Sequence, residues 1–374
     1  MPRTTYLALV LAMLAGLAGC DGTVGTELEE DGDLDVPEEQ PLERQVSSTP
    51  PLQLYVAHGG SDAADGRSPS APLRTLDGAQ AKLRAYLPVI DRAVEIRIAF
   101  DGGKPYHGEE VVWTLGSPDH TITFMPSDFH YGMRLGDIKG RPLFDGHSVC
   151  ETKRHETATY DGEHCKFFVV DRKGASRVRF YYLAVRNYAT TGIALHNAGE
   201  GRNVVYGCRL ERIGNLYFPG HRNGYTAIGI SSSDHNVIRN NRFVDIRNRP
   251  ADNRFMHAVY MNVQSSQNTV SYNDVLRVSG DPMKVRHYSN HNVIEHNTLR
   301  YGGVAAFLDW PEGSRDECFS WENIFRNNVI RCGYDGGKSE TVKLRPPPEP
   351  ERGNPLCRAL GERVRTSGNS NSCP

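Results

Sequence analysis

The sequence lacks a membrane-spanning apolar stretch: its N-terminal apolar run, residues 6–18, is too short to cross a bilayer as a helix. It lacks a CxxC pair and any His/Cys cluster at zinc spacing. It has no heptad pattern, so a long coiled coil is excluded. It has little net charge, −2 from 43 Lys+Arg and 45 Asp+Glu, but that small number is a sum of unlike parts. Residues 1–50 hold ten acidic and two basic residues, or −8, which leaves 35 acidic and 41 basic, or +6, for residues 51–374. With 38% hydrophobic and 24% charged residues, the chain is neither disordered nor a multi-pass membrane protein. A cationic body attracts polyanions at long range. The charge therefore points to a polyanionic partner. Taken with the repeat and the outward residues read below, the expected partner is an acidic polysaccharide, with no nucleic acid, and the expected state is a monomer.

Arg3 precedes the apolar run, which ends in Leu17-Ala18-Gly19-Cys20. A short apolar stretch with this flank has the form of a signal peptide, and its end resembles a bacterial lipoprotein lipobox. The resemblance implies a signal peptide over 1–19, cleavage before Cys20 and lipidation of Cys20. It also implies export to a bacterial membrane, at the cell surface or the periplasmic face. Several acyl chains anchor a protein far better than one, at ~0.8 kcal/mol per buried CH₂. Residues 20–50, rich in Asp, Glu and Pro, cannot bury a core and read as a solvated tether. Seven further cysteines in an exported chain permit disulfides. Their spacing suggests Cys150–Cys165, Cys318–Cys332 and Cys357–Cys373, the last closing a C-terminal tail over 347–374, although spacing alone does not determine connectivity.

An internal repeat organises the rest. Asn203, Asn236, Asn268, Asn292 and Asn323 open similar units at intervals of 33, 32, 24 and 31 residues. An apolar residue follows two positions on, then Asn at +5 (Asn241, Asn273, Asn297, Asn328, with Cys208 in that slot of the first unit), then an apolar residue at +7. Short β-branched runs broken by Asn at fixed offsets describe strands joined by tight turns. Repeated at this period they form stacked coils, each touching only its neighbours. The expected fold is all-β, a right-handed parallel β-helix over 51–346 with about nine coils and a shaft ~40 Å long. A further strand in each unit places Ile193, Leu195, Ile228, Ile230, Val259, Met261, Met283 and Val285 inside by alternation. Cys208 is expected as a buried free thiol without chemistry.

Residues Tyr55-Val56-Ala57, Gly60-Ser61-Asp62, Gly66, Pro72-Leu73, Thr75-Leu76 and Ala79 resemble the N-terminal cap of pectate-lyase-like β-helix proteins. The residues agree with that resemblance: Thr75 suits the N-cap of a helix, running to about Arg84, that plugs the open end of the core.

Inward positions of such a helix are structural, so chemistry must come from outward ones. On the further strand these are small in the early units, then Tyr260 with Asn262, and Lys284 with Arg286, on adjacent rungs. His257 precedes the first of these strands and Asp281 begins the second. The insert 215–223, with His221 and Arg222, is expected to overhang the groove, and Trp310 to wall its other side as a sugar-stacking face. Breaking a uronate polymer by β-elimination requires a cation on the carboxylate, a base for the C5 proton and a group that stabilises the leaving oxygen. Lys284, Arg286, Tyr260 and His257 supply each type. Arg286 is expected to grip the carboxylate in bidentate fashion. The like charge beside Lys284 should make Lys284 the better base, with Tyr260 returning the proton. The stretch around Tyr260, Asn262, Asp281, Lys284 and Arg286, followed by Asn292 to Thr298, is similar to the chondroitinase B and alginate lyase group. The resemblance implies Asp281 as a calcium ligand. Glycoside hydrolysis needs two carboxylates flanking the bond. Asp245, Asp252, Asp281 and Asp309 form no close cluster in the strand register, so a polysaccharide lyase ranks above a hydrolase or epimerase. The alternative is a non-catalytic lipoprotein that binds glycan or cell wall, its charged outward residues serving as ordinary solvation and edge protection.

Overall fold

The computed structural model describes residues 49–86, 90–152, 165–311, 317–346, 357 and 359–373. Cys20, the stretch 1–19 expected as a signal peptide and all but the last two residues of the expected tether lie outside them. Among the described residues, 27 strands form three parallel sheets of ten, nine and eight strands, here A, B and C. The chain visits A, B and C in turn and then climbs one rung. Val204–Tyr206 lies in A, Arg209–Ile213 in B and Thr226–Ser233 in C, and Val237–Arg239 returns to pair with Val204–Tyr206. This is a parallel β-helix. Each coil is closed by pairing to the coils above and below, so the open edges fall at the two ends.

The inward set is as alternation predicts: Ile193, Leu195, Ile228, Val259, Met261, Met283 and Val285 are fully buried. Aromatic side chains fill the N-terminal coils, where Trp113, Phe124, Phe168 and Phe180 interlock with centroids 4.9–5.9 Å apart. Aliphatic residues predominate in the later ones, with Ile238, Val270 and Ile294 in direct register on sheet A.

The repeated asparagines form two ladders. Nδ2 of Asn203, Asn236, Asn268 and Asn292 donates to Oδ1 of the next Asn up the stack at 2.8–3.0 Å, ending on Asn323. The second ladder runs Asn241, Asn273, Asn297, Asn328 and on to Asn369 at 2.9–3.1 Å. Its start is the backbone N–H of Cys208, which donates to Asn241 Oδ1 at 2.9 Å. The bend itself sits one residue earlier. His235, Gln267, His291 and Glu322 take positive φ in the first turn, and Asn240, Tyr272, His296 and Asn327 in the second. The ladder Asn therefore supplies the stacking amide while its predecessor adopts the left-handed backbone. Asn268→Ala should orphan the buried N–H and amide of Asn236, at a cost of about 1–3 kcal/mol per group. An unchanged melting temperature would contradict that.

Helix α1 (Leu76–Tyr86) closes the N-terminal end, burying Leu76, Ala79 and Leu83. Thr75 Oγ1 accepts the Gly78 N–H at 2.9 Å, as an N-cap does, and Asp62 in turn accepts the Thr75 hydroxyl at 2.8 Å. Glu109 is buried beside this end. Burial raises its pKa from 4.5 to about 7, with the negative charges of Asp77 and Asp62 adding to it. The native state thus binds the proton more tightly than the unfolded chain, so stability falls as pH rises from about 4.5 through 7. Glu109→Gln should remove that loss, on the order of 3 kcal/mol. The check is melting curves at pH 5 and pH 8, where the variant should gain on the wild type only at the higher pH.

Two expectations are corrected at the C-terminal end. Within the segment read as a C-terminal tail, the described strands Val364–Ser367 and Ser370–Asn371 add a further rung to sheets A and B. The disulfides are Cys150–Cys165, as spacing suggested, but then Cys318–Cys357 and Cys332–Cys373, 39 and 41 residues apart. At this end of the stack the nearest cysteine in space is one coil on rather than the next in sequence. Cys208 is free and fully buried, and burial raises its thiol pKa to about 11.

Candidate functional site

Sheet C carries the outward cluster. The register aligns Gly229, Tyr260, Lys284 and Leu308 on successive rungs, between inward Val259/Met283 and Met261/Val285. Tyr260 lies between its neighbours. Lys284 Nζ is 5.3 Å from its ring centroid, and Arg286 Nη1 donates to its hydroxyl at 3.3 Å. Arg286 follows the strand Met283–Val285, and its backbone N–H donates to the Met261 carbonyl at 3.0 Å.

A residue that the sequence did not single out completes this cluster. Glu317 receives both Nε and Nη2 of Arg286, and the pair is largely buried, with 15% and 6% of the side chains exposed. Burial works against the charged Arg286, yet the Glu317 hydrogen bonds and the neighbouring Tyr260 hold its pKa above the ordinary arginine value. Glu317 stands 31 residues from Arg286 and carries no repeat signal. Its adjacency to Cys318 was the available clue, and only with the correct disulfide partner does that become informative.

His257 is 1% exposed. Burial lowers its pKa well below the ordinary value, and the charge of Lys284 lowers it further, so the ring is neutral. Its Nδ1 is 2.7 Å from the Asp281 carbonyl, which can only accept, so Nδ1 carries the proton. Its ring centroid is 5.3 Å from that of Tyr260. His257 is thus a buried support beneath Tyr260 rather than an exposed group of the outward face.

Asp281 is also buried, and its Oδ1 accepts the N–H groups of Val304 and Ala305 at 3.1 and 2.8 Å. Burial raises its pKa against those hydrogen bonds. Calcium takes six to eight oxygen ligands. Asp281 instead caps the next coil, and among the described residues no group of three His, Cys, Asp or Glu side chains is placed to hold a metal ion. The residues do not fit the calcium site that the family resemblance implied.

The remaining expected residues divide. Asn262 shares the outward face two positions beyond Tyr260, in register with Ser231, and its Oδ1 accepts the Val263 N–H at 2.8 Å. Trp310 is 38% exposed just past the strand Ala305–Asp309. The insert 215–223 does not overhang the face. His221 is buried, with Nε2 2.7 Å from the Cys150 carbonyl, and Asn215 donates to Asp252 at 3.0 Å. Both contacts lie at the corner between sheets B and C, and Arg222 there is exposed to solvent. The insert packs against that corner because Phe218 and Asn215 bury there. Asp309 is an inward residue of its strand, paired with Arg363 at 2.6 Å, and burial raises its pKa to about 6.

A family model described as "Right handed beta helix region" matches residues 169–340. No curated protein matches the chain in sequence. Solved structures with a similar course include a glycoside hydrolase at 9% identity and TM-score 0.45, covering 85% of this chain and 95% of the other. They also include lacto-N-biosidase from Eubacterium ramulus, at 10% identity and TM-score 0.33, covering 84% and 68%. A pectate lyase aligns at 12% identity and TM-score 0.38, covering 85% and 78%. At these identities the likenesses assign no reaction. The chain is a right-handed parallel β-helix protein.

Proposed function

We propose that the chain binds an acidic, uronate-containing polysaccharide along the outward face of sheet C and cleaves it by β-elimination. The observation that carries this reading is the Tyr260 hydroxyl, set 3.3 Å from Arg286 Nη1 and beside Lys284 on the next rung. Because the fork of Arg286 lies on Glu317, the carboxylate is assigned to Lys284, whose ammonium serves as a point charge. Tyr260, with the Arg286 cation against its oxygen, is assigned the proton transfers. Tyr260 enters the step as its phenolate, the form the Arg286 cation against its oxygen favours. The C5–H bond breaks and the proton goes to that oxygen, giving the neutral phenol. The electron pair forms the C4–C5 double bond as the C4–O bond breaks, and the departing oxygen takes the proton back. Trp310 and Asn262 are assigned to sugar contacts at the margin.

The test is a panel of uronate polymers followed by ultraviolet absorbance of the unsaturated product. New reducing ends without that absorbance would assign a hydrolase, and saturable binding with neither would assign an adhesive, non-catalytic lipoprotein.

We also propose that the protein is exported and held at a bacterial membrane through lipid on Cys20, with residues 21–50 as its tether. Support comes from Leu17-Ala18-Gly19-Cys20 and the acidic composition of the segment that follows. Cys20→Ser should move the protein from the membrane to the soluble fraction, and membrane fractionation unchanged by this substitution would refute the anchor.

A further inference from the structure

We propose that Glu317 is a positioning residue of this site: it sets Arg286 against the Tyr260 hydroxyl, and the Cys318–Cys357 disulfide in turn sets Glu317. The proposal rests on the reading that Tyr260 takes part in chemistry. Its geometric half stands independently of that reading.

A guanidinium is planar, so two parallel hydrogen bonds to one carboxylate determine the direction of the third nitrogen. Here Nε and Nη2 bind Glu317, and the plane so defined carries Nη1 to within 3.3 Å of the Tyr260 oxygen. Within sheet C the strand ends at Val285, so the ladder orients the Arg286 backbone but not its side chain. A largely buried ion pair adds little net stability, because desolvation offsets the attraction. What it contributes is direction.

Glu317 itself belongs to no strand. It is held from the C-terminal side by Cys318, bonded to Cys357, and by two backbone anchors. The Cys318 carbonyl accepts the Tyr288 N–H at 3.3 Å, and the Trp321 N–H donates to Asn290 Oδ1 at 2.8 Å. The covalent stitch at the end of the shaft therefore continues through one ion pair to the hydroxyl on the sheet face. Asn290 and Tyr288 lie on the loop that follows Arg286, so both ends of the ion pair are tied to the same turn.

The experiment uses the full chain and two readouts. The first is ultraviolet titration of the Tyr260 phenolate, taken as the difference between each protein and its Tyr260→Phe counterpart. Glu317→Gln offers one acceptor oxygen and an NH₂ that opposes the guanidinium. It should release Arg286, and loss of that direct contact raises the phenolate midpoint more than loss of the more distant Glu317 charge lowers it, by about one pH unit net. Glu317→Asp should recover part of the shift, and Cys318→Ser/Cys357→Ser should move the midpoint in the same direction by less. A midpoint that stays in place or moves down would overturn the proposal, since Arg286 would then remain on Tyr260 without Glu317. An unmoved midpoint in the disulfide variant alone would remove the disulfide from the account.

The second readout is turnover on the best uronate. Glu317→Gln should lower kcat roughly tenfold with KM changed less than threefold, and should lower it no further in the Tyr260→Phe background. Additive losses in the two backgrounds would show that Glu317 does not act through Tyr260. Should no polymer be turned over, the lyase reading fails while the titration still decides whether Glu317 positions Arg286. Should Glu317→Gln fail to fold, Glu317→Asp and the disulfide variant carry the same predictions.

Discussion

Lys284→Ala is expected to lower turnover of a uronate polymer by roughly 10²–10⁴-fold, the range associated with one positioned polar group in proton-transfer chemistry. Lys284 stands on the rung after Tyr260 with its ammonium 5.3 Å from that ring. Its removal takes away the cation that offsets charge as C5 loses its proton. Tyr260→Phe should cost a similar factor for a different reason: the ring and its packing on His257 remain while the oxygen is lost. The two substitutions separate in binding. Lys284→Ala should weaken affinity for the polymer, measured by equilibrium binding, whereas Tyr260→Phe should leave it within a few-fold. Full product formation by the Lys284→Ala/Tyr260→Phe double variant would sink the assignment. His257→Ala is not an equivalent probe, because that ring is buried and bonded to the Asp281 carbonyl, so its loss acts on packing first.

The second large effect concerns the core. Phe180→Ala should destabilise the protein by about 3–5 kcal/mol through lost transfer energy plus the cavity left behind. Phe180 stacks on Phe124 at 5.2 Å and meets Phe168 edge-on at 4.9 Å, so its removal opens a void between coils already closed by backbone pairing. Ile294→Ala should cost less, about 2–5 kcal/mol with the smaller side chain toward the low end. Its neighbours Val270 and Phe325 occupy the same column on sheet A. Calorimetry on both variants provides the check. Coils contact only their neighbours, so Phe180→Ala should reduce protection from hydrogen exchange in coils around residues 122–181 more than in those around 293–330. A neutral Ile294→Ala would contradict its inward placement.

Most of the architecture was legible without coordinates. The Asn at 0 and +5 with apolar residues at +2 and +7 defines a turn between two strands. A period of 24–33 residues leaves no alternative to stacking. Strand parity is a local property with period two, so Met261 and Val285 inside imply Tyr260 and Lys284 outside once either strand is recognised. The buried Cys208 follows from its place in the second ladder. The cap helix follows from Thr75, whose hydroxyl needs only the amide three residues on.

What sequence order by itself does not carry is proximity between coils at positions outside the repeat. Disulfide pairing is one case: Cys318 and Cys332 are neighbours in the chain, but stacking brings Cys357 and Cys373 to them from the following rung. The Glu317–Arg286 pair is another, made across 31 residues by a segment with no periodic signal. The insert with His221 is a third, since the corner it covers depends on where Phe218 finds apolar neighbours. His257 illustrates the same limit at the level of one side chain. Its position before a strand could be read from the sequence, but its burial, which with the Lys284 charge keeps the ring neutral, and its hydrogen bond to the Asp281 carbonyl depend on the packing of the next coil. Repetition and alternation are written into the chain because they act between near neighbours along it or between equivalent positions. Pairing among inequivalent positions depends on how far each coil turns and where each loop collapses, and only the packed tertiary structure determines that.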